Sequence, residues 1–277
     1  MVQKLTVVIC SVLFAFAAIA QEAAPSKSKA MVDRGLVVSK GTGEVGLDLS
    51  VGLDKGAMGK RFQVASEYEG ERYPGISFKY GVIDNLEVGL ATVLGFGSDY
   101  AAKFPWFGAF SSGFNWGGAK IYGKYAFLPF LGAELGILLP GEKFGDNRLS
   151  LDIGIPFKYT IMPGLLSAHV RPDLILGFAK KDTLGGGKAV QVKMFVDYGV
   201  TVNATESLYF DLSSGFGQTF SPDLSGADRR IPLAITAGYT VIPALDVYLN
   251  FVFDNLAPKV GGAMDQKGIG LGARFRF

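Results

Sequence analysis

Repeated alternation of apolar and polar residues over about ten positions is the feature that most limits what this chain can fold into. From Glu44 to Asp54 every odd position is apolar, and every even position is charged, Ser or Gly. No stretch after the first 20 residues reaches the ~18 consecutive apolar residues of a membrane-spanning helix, whereas about ten alternating residues are what a tilted strand needs to cross a bilayer. The pattern therefore predicts membrane-spanning β-strands, and it recurs at 76–82, 86–94, 149–159, 190–200 and 245–253.

The last ten residues, 268–277 (GIGLGARFRF), continue this alternation and end on an aromatic residue. Gly272, Phe275 and Phe277 match the terminal assembly signal of Gram-negative outer-membrane β-barrels, although Gly270 stands where that signal has a polar residue. The terminal strand thus resembles that of an outer-membrane barrel. This resemblance implies that the barrel-assembly machinery is a partner during biogenesis and that outer-membrane lipid surrounds the folded protein.

The first 20 residues have the pattern of a cleaved signal peptide. Lys4 precedes an apolar core at 5–19, and Ala18 and Ala20 form a small-residue cleavage site. This core is shorter than the ~20 residues of a spanning helix. We therefore expect export to the outer membrane of a Gram-negative bacterium, with cleavage near Ala20, which also removes Cys10, the sole cysteine.

The remaining chain divides into a tail and a barrel. Residues 21–42 are predicted to be a flexible periplasmic segment, because 21–33 is polar, aperiodic and contains Pro and Ser. Residues 43–277 are predicted to form an all-β, antiparallel, up-and-down transmembrane β-barrel. The alternative is fourteen strands, in which Gly35–Lys40 and Arg61–Glu69 form two more. The preferred number is about twelve, with strands at 44–54, 73–82, 86–96, 118–127, 130–139, 148–161, 165–177, 189–202, 207–217, 230–241, 245–254 and 268–277.

Tyrosines mark one end of the predicted barrel. Each lies on the apolar face just before a short turn, as an aromatic girdle at a membrane interface requires. The connections at the other end are longer, which is typical of periplasmic turns opposite extracellular loops. The five tyrosines are Tyr80, Tyr125, Tyr159, Tyr198 and Tyr239.

The face opposite the lipid is predicted to line the lumen. Charges confined there should pair, because an uncompensated charge is costly. Such a lumen is either a narrow, weakly selective channel or a plug of ion pairs. Alternation places on this face the sole histidine, His169, with eight acidic and eight basic residues: Asp48, Lys79, Glu87, Lys120, Lys124, Glu134, Asp152, Lys158, Arg171, Asp173, Lys193, Asp197, Asp211, Asp246, Arg274 and Arg276.

One predicted loop, 98–116, is unusually aromatic for a segment in contact with water. Three placements are open: a constriction folded into the barrel mouth, a position on the outer-leaflet interface, or a site that admits an apolar solute. The candidate residues are Tyr100, Phe104, Trp106, Phe107, Phe110, Phe114 and Trp116.

Other functions find little support in the sequence. Ser167, His169 and Asp173 share one face and supply the side-chain types of an acyl hydrolase. They follow the tight turn at Pro163 and face inward, so we interpret His169 as a hydrogen-bonded lumen residue and predict no enzymatic activity. One histidine and no mature cysteine predict neither a metal nor another cofactor. A net charge of +2 without a basic run argues against nucleic acid as a partner.

The turn at Tyr80–Leu90 (YGVIDNLEVGL) resembles that of uncharacterised transporter barrels grouped with exporters or importers of aromatic compounds. This resemblance implies a porin-like passive channel or transporter, with a small-molecule solute as the partner. A closed structural or surface-binding barrel is the alternative. A barrel enzyme such as a phospholipase ranks third.

Overall fold

The computed structural model describes residues 30–52, 62–64, 67–68, 71–72, 75–96, 114–140, 149–178, 190–220, 228–253, 255–257 and 267–277. Within them lie a 3-10 helix, Met31–Asp33, and the strands β1 (Gly43–Gly52), β2 (Phe62–Val64), β3 (Glu67–Tyr68), β4 (Glu71–Arg72), β5 (Gly75–Ile83), β6 (Leu86–Phe96), β7 (Phe114–Leu128), β8 (Leu131–Pro140), β9 (Leu149–Gly154), β10 (Phe157–Met162), β11 (Leu166–Phe178), β12 (Val190–Asn203), β13 (Leu208–Phe220), β14 (Asp228–Arg230), β15 (Leu233–Ile242), β16 (Leu245–Phe253) and β17 (Lys267–Arg276). Among these residues no helix is long and apolar enough to span a membrane.

The wall is a closed, antiparallel barrel of twelve strands, as predicted. β9 with β10 forms one wall strand and β14 with β15 another, while β1, β5 to β8, β11 to β13, β16 and β17 supply the other ten. The seam closes where β1 pairs with β17 from Glu44↔Arg276 to Gly52↔Gly268. The fourteen-strand alternative requires two further segments, and in one of them, 61–69, the described residues form the short β2 and β3. The other, 35–40, contributes a single bridge, Lys40↔Gly81.

Two predicted strands are interrupted at prolines. The segment 148–161 breaks at Ile155–Pro156, and 230–241 breaks at Ile231–Pro232. Proline has no N–H to donate to a neighbouring strand, so the ladder cannot run through it unchanged. The wall stays hydrogen-bonded at the first break, because Ile155 N donates to Pro172 O at 2.9 Å.

Alternation separates the two faces of the wall. Along β15, Ile235 and Tyr239 are exposed on the outer face, whereas Thr236 and Thr240 are buried on the inner one. Large apolar side chains cover the outer face of many strands, as lipid contact requires. The five tyrosines predicted to form the girdle all lie on the outer face and are between 38% and 53% exposed.

The two ends of the barrel differ. The tight-turn end carries the turns 84–85, 129–130, 163–165, 204–207 and 243–244. The long-loop end carries connections that lie largely outside the described residues. Five members of the predicted aromatic loop, from Tyr100 to Phe110, are outside the described residues. Phe114 and Trp116 correct the predicted loop boundary, because both belong to β7, where they pair with Phe96 and Leu94.

Candidate functional site

The barrel interior is the candidate site. The seventeen residues predicted to line it all fall in described strands, and each shares the alternation of the buried, inward-facing positions. Glu44 has the same register as Asp48, yet it was left out of the prediction. Lys79 Nζ lies 3.2 Å from Glu44 Oε1, so the omitted carboxylate pairs with a predicted residue.

Among the described residues, a cluster of five charged side chains lies on β7, β8, β9 and β11. Lys120 Nζ is 2.7 Å from Glu134 Oε1 and also pairs with Asp152. Arg171 contacts Glu134 at 3.1 Å and Asp173 at 3.0 Å. All three carboxylates are buried against the wall. The interior charges in this region are therefore paired, since burying them singly would be costly.

A second cluster lies at the tight-turn end around Asp246, which is fully buried. Arg34 donates to both carboxylate oxygens of Asp246, at 2.5 and 3.0 Å, and Arg276 does so at 2.5 and 3.2 Å. Thr240 Oγ1 adds a hydrogen bond of 2.7 Å. Two guanidinium groups therefore converge on one carboxylate, and one of them comes from outside the wall strands.

Arg34 belongs to residues 30–42, here called the N-terminal segment, which enters the barrel interior. Val32 is fully buried, and its N–H donates to Asn203 Oδ1 at 3.1 Å. Lys158 Nζ donates to the carbonyls of Met31 and Arg34, each at 3.0 Å. Side chains of β10 and β12 thus satisfy backbone groups that burial would otherwise leave without partners.

The same segment also binds the opposite part of the wall. Val38 N donates to Glu87 Oε2 at 2.8 Å on β6. Gly41 N donates to Gly81 O at 2.8 Å, and Gly81 N donates to Thr42 O at 3.0 Å on β5. A side chain at Gly81 would strike the segment's own carbonyls, so this contact requires glycine. Because its partners lie around the ring of strands, the segment crosses the tight-turn end.

This arrangement differs from the flexible tail expected for 21–42. The expectation came from an aperiodic, polar sequence, and such a sequence carries no signal for binding inside a barrel. Asp33, within the segment, accepts hydrogen bonds from Gly164 N at 3.0 and 3.1 Å, which fixes it to a turn of the wall. Residues 21–29 lie outside the described residues.

A cavity lies inside the wall, with about 590 Å³ of atom-free space, part of it open to solvent. Two tyrosines on the inner face of the wall contact charged side chains. Tyr122 donates to Glu87 Oε1 at 3.0 Å, and the guanidinium of Arg274 lies 5.0 Å from the ring centre of Tyr248. The cavity is lined by Asp48, Ser77, Lys79, Ala91, Lys120, Tyr122, Lys124, Glu134, Arg171 and Arg274.

Of the three side chains that could form an acyl hydrolase site, Asp173 and His169 have other partners. The buried Ser167 Oγ has no hydrogen-bond partner among the described residues. Asp173 is hydrogen-bonded to Arg171. His169 Nδ1 lies 3.9 Å from Asp211 Oδ2, which accepts a hydrogen bond from Thr201. These contacts fit the interpretation of His169 as an interior polar residue. Among the described residues no group of three His, Cys, Asp or Glu side chains could hold a metal ion.

Comparison with known proteins bears on the fold. Neither a scan against protein-family models nor a search of curated protein sequences finds a match. Among solved structures, the NanC porin aligns with a TM-score of 0.56 and 12% identity, over 83% of this chain and 98% of that one. An outer membrane channel from Pseudomonas putida F1 aligns with a TM-score of 0.55 and 14% identity, over 88% of this chain and 98% of that one. The predicted resemblance to Gram-negative outer-membrane barrels is therefore confirmed for the fold.

Proposed function

We propose that this chain is an integral outer-membrane β-barrel of a Gram-negative bacterium that passes small solutes without catalysing a reaction. The observation that carries the proposal is a closed wall with apolar side chains outside and a polar, charged cavity inside. Its fold is similar to that of the two channels named above. A polar interior within an apolar outer face is the arrangement of water-filled membrane barrels.

The N-terminal segment is proposed to limit passage at the tight-turn end. It contacts β5, β6, β10, β12 and β16, so a solute leaving the cavity there must pass beside it or displace it. We expect the intact protein to conduct weakly or intermittently. The bound segment, rather than the aromatic loop, is the first constriction to test.

A closed barrel remains the second candidate, and a specific observation favours it. The segment and the Asp246 cluster together place buried, hydrogen-bonded groups across one end of the interior. If these contacts never open, the interior is a vestibule reached only from the long-loop end. The protein would then bind a ligand at the cell surface without transporting a solute.

Conductance of the purified protein in a planar bilayer tests both candidates. Removal of residues 30–38 should raise the conductance severalfold, because it removes Arg34 and the Val38 contact with Glu87. Removal of residues 21–29, a deletion of equal length, should leave the conductance unchanged. Heat-modifiable migration on gels would establish that each variant is folded. Lack of conductance in all folded variants would overturn the channel and favour the closed barrel.

A further inference from the structure

Within the interior ion pairs, the cation is generally the more exposed partner. The side chain of Lys79 is 28% exposed against 13% for Glu44, and Lys124 is 14% exposed against 2% for Glu87. Lys120 is the exception, because it is as buried as the carboxylates that it contacts. Equal numbers of acidic and basic residues therefore do not give equal exposure of the two charges to a solute in the interior.

Side-chain length gives the physical reason. Asp and Glu hold their charges close to the wall, whereas the longer Lys and Arg stems carry theirs towards the centre. Arg171 shows the effect, since it is 18% exposed while its partners Glu134 and Asp173 are at most 4% exposed. The carboxylates thus lie close to the wall, where they offset the positive charges, and the cations are in contact with solvent.

The cavity lining has the same bias. Five cationic side chains but only two carboxylates, Asp48 and Glu134, line it. The cations are Lys79, Lys120, Lys124, Arg171 and Arg274. From this geometry we propose that the cavity binds a small organic anion that carries a carboxylate. The proposal rests on the proposed channel function, because it names the class of solute that would enter.

The lining residues suit this ligand chemically. Arginine presents a planar fork that can bind a carboxylate through two parallel hydrogen bonds, and lysine adds a point charge. Arg274 is held over the Tyr248 ring, and Tyr248 in turn donates to Asp48 at 2.5 Å, so the guanidinium is oriented before a ligand arrives. Rings of Lys and Arg side chains are also how anion pores select their ions.

Isothermal titration of the folded protein with benzoate at low salt tests binding independently of conductance. Arg274→Gln and Lys79→Gln should each weaken benzoate binding at least tenfold. Arg229→Gln removes the same charge as Arg274→Gln from an exposed position of β14 and should leave binding unchanged. Lys79→Arg should retain binding, and benzamide, which lacks the charge, should bind at least tenfold more weakly than benzoate. Equal binding of benzoate and benzamide, or equal loss in cavity and control variants, would overturn the proposal.

A measurement of ion selectivity tests the anion site separately from the proposed channel function. Under a salt gradient, the reversal potential of the conducting protein should show anion preference, and Lys79→Gln should reduce it. Benzoate binding without conductance in any folded variant would refute the channel but support the anion site. Conductance without anion preference, together with lack of benzoate binding, would refute the anion site and support the channel.

Discussion

Replacing Arg34 by Ala should release the N-terminal segment without unfolding the barrel wall. Arg34 donates to Asp246 at 2.5 and 3.0 Å and to Thr240 Oγ1 at 3.3 Å. After the substitution, Asp246 still accepts hydrogen bonds from Arg276 and Thr240. The buried carboxylate therefore keeps a cationic partner. The substitution weakens the binding of the segment rather than the stability of the wall.

The size of the effect follows from these bonds. A hydrogen bond to a charged group contributes about 1.5–3 kcal/mol net. Arg34 is partly exposed and shares Asp246 with Arg276, so we expect the whole pair to contribute about 2 kcal/mol to holding the segment. At 1.4 kcal/mol per factor of ten, the equilibrium constant for release should rise about 30-fold.

Cysteine labelling measures this release. Val32 is fully buried, so a cysteine placed there by Val32→Cys should react with a maleimide only when the segment leaves the interior. Where reclosing is faster than labelling, the rate reports the open population. Labelling of Val32→Cys should become about 30-fold faster when Arg34→Ala is added. Arg229→Ala, at an exposed position of β14, is the matched control and should not change the rate.

Two results would refute the reasoning. Equal labelling rates with and without Arg34→Ala, in protein shown to be folded, would mean that the Asp246 contact does not hold the segment. Loss of heat-modifiable migration in Arg34→Ala alone would mean that the wall itself depends on the segment. In the second case, release and unfolding would be one process.

Three other outcomes test the wall. Leu249→Arg, on the outer face, should lower the free energy of unfolding in liposomes by about 2–4 kcal/mol, whereas the inward-facing Asn250→Arg should cost much less; equal costs would contradict the inside and outside assignment. Phe277→Asp should leave export intact but block barrel insertion, as heat-modifiable migration would show, while Phe277→Tyr should insert normally; normal insertion of Phe277→Asp would contradict the assembly signal. Gly238→Leu should destabilise the folded barrel by roughly 1–3 kcal/mol in the same unfolding assay, because its side chain would overlap the buried ring of Tyr209; an unchanged stability would show that the ring can move aside.

The wall could be predicted from sequence because alternation has a strict period of two. A register error of one residue would exchange the lipid and interior faces, so the apolar pattern fixes the register strongly. The predicted strand 86–96 coincides with β6, and 268–277 differs from β17 by one residue at each end. The breaks at Pro156 and Pro232 were missed because alternation continues across them, although proline itself is the available signal.

The interior contacts could not be predicted in the same way. Alternation tells which face a charge occupies, but not which charge on another strand lies at the same height. Lys120 on β7, for example, reaches Asp152 on β9, across the intervening β8. Arg34 lies in an aperiodic stretch, so no pattern connected it with Asp246. The signal peptide and most of the aromatic loop lie outside the described residues and stay predictions.

The N-terminal segment also joins the two sides of the barrel seam. On one side it binds Asp246 of β16, and on the other it binds Gly81 of β5 and Glu87 of β6, while β1 and β17 meet between them. Arg34 and Asp246 are 212 positions apart in the sequence, so their contact fastens distant parts of the chain. Separating β1 from β17 at this end must therefore also break the segment's bonds to one side. The segment therefore connects the two sides of the seam and raises the free-energy barrier to separating β1 from β17. We expect it to slow unfolding as well as to limit passage through the pore.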